Sequence, residues 1–213
     1  MRKIVFIMLA GGLLLLNACK NDPVVEPKGV AYKLTDQAKI TWTGRAADGK
    51  FNQGTVDLKG VTRVDGFDFD VLGDEFKGGV FTVPVSSINV TNLPAHLKPV
   101  LEAHLKTADF FYMAMHPNVT FKLTSGTPLT AQTGVDANYQ IRGEMTLLGS
   151  THPIAFKAKV NIVDQTMTLK GSFVINQTMW GMNYHIDPSY PDADRILPVV
   201  ELAFDLVATS KLG

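Results

Sequence analysis

The sequence of 213 residues contains a single cysteine, Cys19. One cysteine excludes an intramolecular disulfide and any zinc site built on cysteine ligands. Basic and acidic residues number 20 each, so the formal net charge is zero, and no run of lysines and arginines is present. The chain therefore lacks the basic patch that nucleic-acid binding requires, and we expect no nucleic acid among its partners.

Motifs of common enzymes are absent as well. The sequence has no Gly-x-Ser-x-Gly, no His-Glu-x-x-His, and no glycine-rich loop that leads into a helix. The best fragment of a metal or acid–base site is His185 with the nearby Asp187, Asp192 and Asp194, although an acidic, solvated loop explains the same residues. We expect no catalytic residue, no metal and no cofactor, and keep a metal-dependent enzyme built on His185 as an alternative.

Long apolar runs are rare, and the most prominent lies near the N-terminus. Residues 4–16 form a run of 13 uncharged, mostly apolar residues after Arg2-Lys3. Such a run is too short to span a bilayer as a helix and is typical of the core of a signal peptide. It ends in Leu16-Asn17-Ala18-Cys19, which resembles the lipobox of bacterial lipoproteins. That resemblance implies cleavage before Cys19 and a lipid attached to its sulfur.

We therefore predict a lipoprotein signal peptide at residues 1–18 and lipid attachment at Cys19. An ordinary cleaved signal, in which Cys19 is incidental, is the alternative. Residues 19–30 contain two prolines and no periodic pattern, which favours a flexible tether. These features predict a protein of the cell envelope, anchored to a bacterial membrane and facing the periplasm or the cell surface.

From Tyr32 onward the sequence is predicted to be mostly β-strand. Short segments rich in β-branched and aromatic residues alternate with glycine-containing turns, as in an antiparallel sandwich or barrel. The segments are Ile40–Thr43, Thr55–Leu58, Phe67–Val71, Val80–Val83, Val119–Leu123, Tyr139–Leu147, Ile154–Val163, Met167–Asn176 and Val199–Ala208. Residues 31–213 are thus expected to form one all-β domain.

One segment has helical periodicity instead. Leu97, Leu101 and Leu105 recur every four residues, which predicts a short amphipathic helix that begins near Pro99 and packs on the sheet or across a barrel mouth. His104 in this helix is expected to be a packed or capping residue. Residues 179–197 are predicted to form a long loop.

The chain has more large apolar residues than turns and the rim of a barrel would require. Each of them could belong to a packed core, but together they suit the lining of a barrel that holds one apolar ligand. The candidate ligand-binding residues are Trp42, Phe81, Leu105, Phe110, Phe111, Phe121, Phe173, Met179, Trp180 and Tyr184, and Tyr112 and Phe156 belong to the same apolar set.

The order of motifs resembles the YceI-like family of lipocalin-like, lipid-binding proteins. The motifs are Trp42-Thr-Gly44, Gly79-Val-Phe-Thr-Val83, His104-Leu-Lys-Thr-Ala-Asp-Phe-Phe111, Pro117-Asn-Val-Thr-Phe121, Arg142-Gly-Glu-Met-Thr-Leu-Leu-Gly149, Phe173-Val-Ile-Asn176 and Trp180-Gly181. The resemblance implies an antiparallel β-barrel of about eight strands whose interior accepts a long isoprenoid or fatty chain without catalysis. The sequence departs from the family pattern at two places, and both affect the polar contacts that a ligand's head group would make. Asn176-Gln177 replaces the usual Asp-Arg, and Gln53 stands where members often have histidine.

The sequence thus predicts a membrane-tethered, non-catalytic carrier for a polyisoprenoid, a quinone or a fatty-acid-like lipid. The alternative is a solid barrel that serves as an interaction module for another envelope protein. The sequence leaves open whether the protein forms a homodimer.

Overall fold

A computed structural model describes residues 29–130 and 136–210 of the chain. In these residues it places twelve strands and one α-helix in the following order. The elements are β1 (Val30–Leu34), β2 (Lys39–Ala46), β3 (Phe51–Asp57), β4 (Lys59–Gly60), β5 (Phe69–Leu72), β6 (Glu75–Pro84), β7 (Asn89–Val90), α1 (Lys98–Leu105), β8 (Asn118–Pro128), β9 (Tyr139–Leu147), β10 (Ser150–Val163), β11 (Thr166–Asn176) and β12 (Ile196–Ser210).

Eight antiparallel strands close into a barrel in the order β1-β5-β6-β8-β9-β10-β11-β12. Closure occurs at β1, where Tyr32 pairs with Phe69 of β5 on one side and with Ser210 of β12 on the other. A closed barrel satisfies the backbone groups that an open sheet would expose at its edges. The predicted all-β barrel of about eight strands is confirmed.

Strand β12 is long enough to pair with two strands along the same edge. Its last residues pair with β1, whereas Ile196 and the segment 200–204 pair with β2, which continues into β3 and β7. We call the end of the barrel at the β2–β3 turn the open end. The end at the β10–β11 turn, Asp164-Gln165, is the closed end.

Period-two alternation decides which side chains face inward. In β12, Leu202, Phe204 and Leu206 point into the barrel, while Glu201 and Asp205 are exposed on its outer face. The side chains of successive strand residues point to opposite faces, so one strand supplies both a lining and a solvated surface.

The closed end is filled by a packed cluster. Its buried members include Tyr32, Tyr139, Met167 and Ala208, with the rings of Phe69 and Phe76 packed against Tyr32 and Tyr139. Burial of this apolar surface stabilises the barrel and seals that end from solvent.

Helix α1 begins with Pro99 in its first turn, where a missing N–H costs no hydrogen bond, as predicted. The side chain of Glu102 accepts a hydrogen bond from the backbone N–H of Val90 at 2.8 Å, which ties the helix to β7. His104 is packed, with its ring edge-on to Phe110 and Tyr184. In the described part of the chain, no helix is both long and apolar enough to cross a bilayer.

Candidate ligand-binding cavity

The barrel encloses a cavity of about 920 Å³. This volume lies near the top of the range of about 300–1,000 Å³ for small-molecule sites. The wall is almost entirely apolar and combines inward-facing residues of the barrel strands with Leu101, Leu105, Phe110 and Phe111 from α1 and the segment after it. A solid barrel, the premise of the alternative hypothesis, is not what the structure shows.

Aromatic rings form one side of the cavity wall. The ring of Phe156 stacks on Phe173 with centroids 4.4 Å apart. Phe156 also contacts Phe121 at 6.0 Å and Phe204 at 5.5 Å, and Phe121 continues to Phe81 at 6.3 Å. These contacts hold the rings in place and present a continuous hydrocarbon surface without hydrogen-bonding groups.

A glycine makes room for this wall on β9. A Cβ atom at Gly143 would lie 2.2 Å from Cε2 of Phe121 and 2.6 Å from the carbonyl oxygen of Lys122. Because Gly143 has no side chain, Phe121 can lie flat over the strand. Gly171 provides the same space for Phe204, whose Cζ would be 2.7 Å from a Cβ atom.

Polar residues occur at the mouth of the cavity, at the open end. We call Arg45, Asp48, Lys50, Asn52 and Asn92 the rim. Lys50 Nζ lies 2.7 Å from Asp48 Oδ2, and Arg45 lies 3.4 Å from Glu201. The hydrogen bond to Lys50 lowers the pKa of Asp48, and the same bond raises the pKa of Lys50. Both basic groups of the rim are therefore paired with carboxylates.

One polar side chain of the cavity wall is buried. Gln177 is 5% exposed, lines the cavity, and donates a hydrogen bond from Nε2 to the carbonyl oxygen of Leu197 at 3.1 Å. It begins the 3₁₀ turn Gln177–Trp180 that follows β11. Gln53, the other residue that departs from the YceI-like pattern, does not line the cavity, and its side chain donates a hydrogen bond to Thr43 Oγ1 instead.

Seven of the ten candidate ligand-binding residues line the cavity. They are Trp42, Phe81, Leu105, Phe110, Phe111, Phe121 and Phe173. Their contact with a ligand remains a prediction.

The other three candidates lie elsewhere. Met179 is 49% exposed, Trp180 is buried and donates from its indole nitrogen to the carbonyl oxygen of Met145 at 3.2 Å, and Tyr184 packs on His104 and Phe110. The 3₁₀ turn explains the placement of Met179 and Trp180, because strand alternation ends at Asn176 and no longer decides which side chains face inward.

Several lining residues were not among the candidates. Phe204 is the largest of those on β12, and it shares its inward face with Val200, Leu202 and Leu206. The alternation of this strand could have identified it. Gln177 could not have been found in this way, because a lone glutamine after a strand carries no pattern.

The histidine of the alternative metal site has a structural role. The His185 ring stacks between Tyr184 and Tyr190, with centroids 4.1 and 4.2 Å away, and its Nδ1 lies 3.2 Å from the carbonyl oxygen of Asp194. Among residues 29–130 and 136–210, no group of three or more histidine and acidic residues is placed to hold a metal ion. The predicted signal peptide, Cys19 and most of the tether lie outside the described residues.

Known structures share this architecture. A polyisoprenoid-binding domain from Saccharophagus degradans, implicated in plant cell wall breakdown, aligns with a TM-score of 0.59 at 13% identity and covers 85% of this chain and 99% of its own. BcnA of Burkholderia cenocepacia aligns with a TM-score of 0.56 at 16% identity, covering 81% of this chain and 97% of its own. Among curated proteins, no sequence matches the chain. The YceI-like domain profile matches residues 32–208, so the chain belongs to the YceI-like domain family.

Proposed function

We propose that this protein binds one long apolar ligand, such as a polyisoprenoid, quinone or fatty chain, inside its barrel and carries it without catalysing a reaction. The apolar cavity of about 920 Å³ is the observation that carries this proposal. At about 30 Å³ for each heavy atom, the share of one water molecule in the liquid, this volume has room for roughly 30 heavy atoms.

Burial alone can supply the affinity. A chain with about 15–20 methylene equivalents gains on the order of 12–16 kcal/mol when it leaves water, at about 0.8 kcal/mol for each. Association and ordering cost several kcal/mol or more, and the remainder supports binding with few polar contacts. The wall of stacked phenylalanines is suited to such a ligand, because its rings are already held by one another.

The comparisons support the same ligand class. The domain from Saccharophagus degradans, which shares the fold, is described as polyisoprenoid-binding. At 13% identity this likeness shows the fold alone, so the ligand class is transferred here as part of the proposal.

We further propose that an acyl anchor on Cys19 holds the domain at a bacterial membrane. Two acyl chains anchor a protein stably, at about 0.8 kcal/mol for each buried CH₂. The predicted tether, residues 19–30, spans at most about 40 Å when fully extended. The cavity would then stay near the bilayer that supplies its ligand.

Lipid analysis of the purified protein tests the binding proposal. The mature chain, residues 19–213 with Cys19→Ser, is purified without detergent, and bound lipids are extracted and identified by mass spectrometry. We expect one stoichiometric long-chain lipid. The control variant is Gly44→Phe, because position 44 shares the inward face of β2 with Trp42 and a Cβ atom there meets nothing within 4 Å. A folded protein that carries no lipid and takes up none from added vesicles would contradict the proposal.

Fractionation of cells tests the anchor separately. The wild-type chain is expected in the membrane fraction with a mass increase at Cys19. Because Cys19→Ser alone would also leave the apolar leader attached, the variant carries, in place of residues 1–18, a signal peptide that is cleaved without acylation, and it is expected in the soluble envelope fraction. Unchanged membrane association of this variant, or the absence of a mass increase at Cys19 in the wild-type chain, would contradict acylation as the anchor without affecting the binding proposal.

A further inference from the structure

The polar groups of the cavity can be sorted by burial. Apart from the rim, the polar side-chain groups in the lining are the amide of Gln177 and the indole N–H of Trp42. The indole nitrogen of Trp42 has less than 1 Å² of accessible surface, so a ligand in the cavity cannot reach it. The indole ring lies against the backbone of Gly54. Gln177 is therefore the buried polar group of the lining that can meet a polar atom of a ligand.

The orientation of the Gln177 amide follows from its one protein contact. The carbonyl oxygen of Leu197 can only accept, so the amide nitrogen of Gln177 must face it. The amide oxygen of Gln177 then points the other way, and in the described part of the chain no donor reaches it. In the described residues, the fully covered side-chain polar atoms without a partner are Thr35 Oγ1, Trp42 Nε1 and Arg195 Nε, so the amide oxygen of Gln177 keeps some accessible surface. A ligand donor can therefore reach this oxygen and replace the hydrogen bond that it would otherwise make to water.

Charges around the mouth disfavour an anionic ligand. Arg45 is paired with Glu201 and Lys50 with Asp48. The backbone N–H of Asp48 donates to the backbone carbonyl of Asp192, which places the segment 192–195 beside the rim. In this segment Arg195 is paired with Asp192 at 2.7 Å, and Asp194 adds a further carboxylate.

These seven groups comprise three cations and four carboxylates, a sum of −1. A diphosphate or carboxylate head would meet paired cations and a small excess of negative charge, so it would lose hydration without gaining a new ion pair. An uncharged head loses far less on leaving water.

We propose that the bound ligand ends in an uncharged hydrogen-bond donor, such as the hydroxyl of a polyprenol, and that this group donates to the amide oxygen of Gln177. The inference rests on the proposed binding of an apolar chain in the barrel. It specifies the head group that this cavity selects.

Ligands with one chain and different heads test the selectivity. Geranylgeraniol, geranylgeranoic acid and geranylgeranyl diphosphate compete with the neutral dye Nile red for the mature chain, residues 19–213 with Cys19→Ser. We expect the alcohol to displace the dye at a concentration about tenfold lower than either anion, the factor that one good polar contact supplies. Equal or tighter binding of the diphosphate would overturn the inference. If Nile red and all three ligands fail to bind, the proposed function itself is contradicted.

Substitution of the glutamine tests its role. Gln177→Leu should weaken geranylgeraniol about tenfold and leave the hydrocarbon phytane unchanged, because only the alcohol loses a hydrogen bond. The matched control is Gln165→Leu, in the exposed turn at the closed end. Phytane binding shows that the variant is folded. An equal loss for alcohol and hydrocarbon, or no loss for the alcohol, would overturn the assignment of Gln177.

Charge neutralisation tests the rim. Asp48→Asn with Glu201→Gln frees Lys50 and Arg45 and should strengthen the diphosphate while leaving geranylgeraniol unchanged. Unchanged diphosphate binding in this variant would show that rim charge does not set the selectivity.

Discussion

The ring of Phe156 on β10 lies face to face with the ring of Phe173 on β11, with an angle of 10° between their planes. Both rings also contact Phe204 on β12, at centroid distances of 5.5 and 6.4 Å. Three neighbouring strands thus contribute one aromatic cluster to the cavity wall. Because the rings contact one another, the wall keeps its shape without a ligand.

Phe156→Leu and Phe173→Leu are expected to be coupled in stability. Each single substitution should lower the free energy of unfolding by about 1–2 kcal/mol, since each ring already has one face on the cavity and loses fewer contacts than a core ring. The double variant should cost less than the sum by about 0.5–1.5 kcal/mol, the value of an aromatic pair beyond its buried area. Urea denaturation of all four proteins measures the coupling, and strictly additive losses would contradict it.

Gly143→Ala should destabilise the barrel by about 1–3 kcal/mol, because the new Cβ atom must displace Phe121 or the backbone of Lys122. Gly44→Ala is the matched control on another strand, where a Cβ atom meets nothing within 4 Å. That control should change stability by less than about 0.5 kcal/mol. Thermal and urea unfolding compare the two, and equal effects would show that the space beside Phe121 is not required.

Asp68 is expected to contribute to stability through two buried hydrogen bonds. Its carboxylate is 2% exposed and accepts from the backbone N–H of Leu34 and from Thr62 Oγ1, both at 2.9 Å. Asp68→Leu should cost about 2–3 kcal/mol, because the backbone N–H of Leu34 and the hydroxyl of Thr62 both lose their acceptor. The control Asp205→Leu removes an exposed partner of Lys170 and should cost about 0–1 kcal/mol. A loss at Asp68 no larger than the control's would contradict this role.

Asp65 should make a small pH-dependent contribution. The backbone N–H of Phe67 and the side chain of Arg63 lower the pKa of Asp65 below its model-compound value of 3.8. A carboxyl group whose pKa is lower in the folded state contributes stability above its unfolded pKa and loses it as the pH falls through the folded pKa. The difference in urea midpoint between wild type and Asp65→Asn should therefore shrink below pH 3.8. A difference that grows with acidity would contradict the sign.

Local patterns predicted most of this structure. Alternation and turn residues located the strands, and the four-residue spacing of Leu97, Leu101 and Leu105 located the helix that the structure places at Lys98–Leu105. These features depend on residues close in sequence, so they can be read without the fold. Barrel closure through Tyr32 depends on partners at positions 69 and 210, which no local pattern reveals.

The cavity was harder to predict than the barrel. An inward-facing apolar residue has the same local sequence pattern whether it packs in a core or lines a cavity. On β11, for example, Phe173 lines the cavity, whereas Met167 is buried in the packed cluster of the closed end. The placement of Met179 and Trp180 depends on where β11 ends and the 3₁₀ turn begins. The head-group selectivity depends on Gln177 and the paired rim, which come together only through the tertiary fold.

The two tryptophans can report directly whether an apolar chain enters the barrel. Trp42 lines the cavity, whereas Trp180 is buried outside its lining. A long-chain alcohol brominated along its chain is titrated into the Trp180→Phe and Trp42→Phe variants, each of which retains one tryptophan. We expect strong, saturable quenching of Trp42 emission at one ligand per protein and weaker quenching of Trp180 emission. Trp42 emission that stays unquenched at every ligand concentration, in a protein that remains folded, would contradict this expectation.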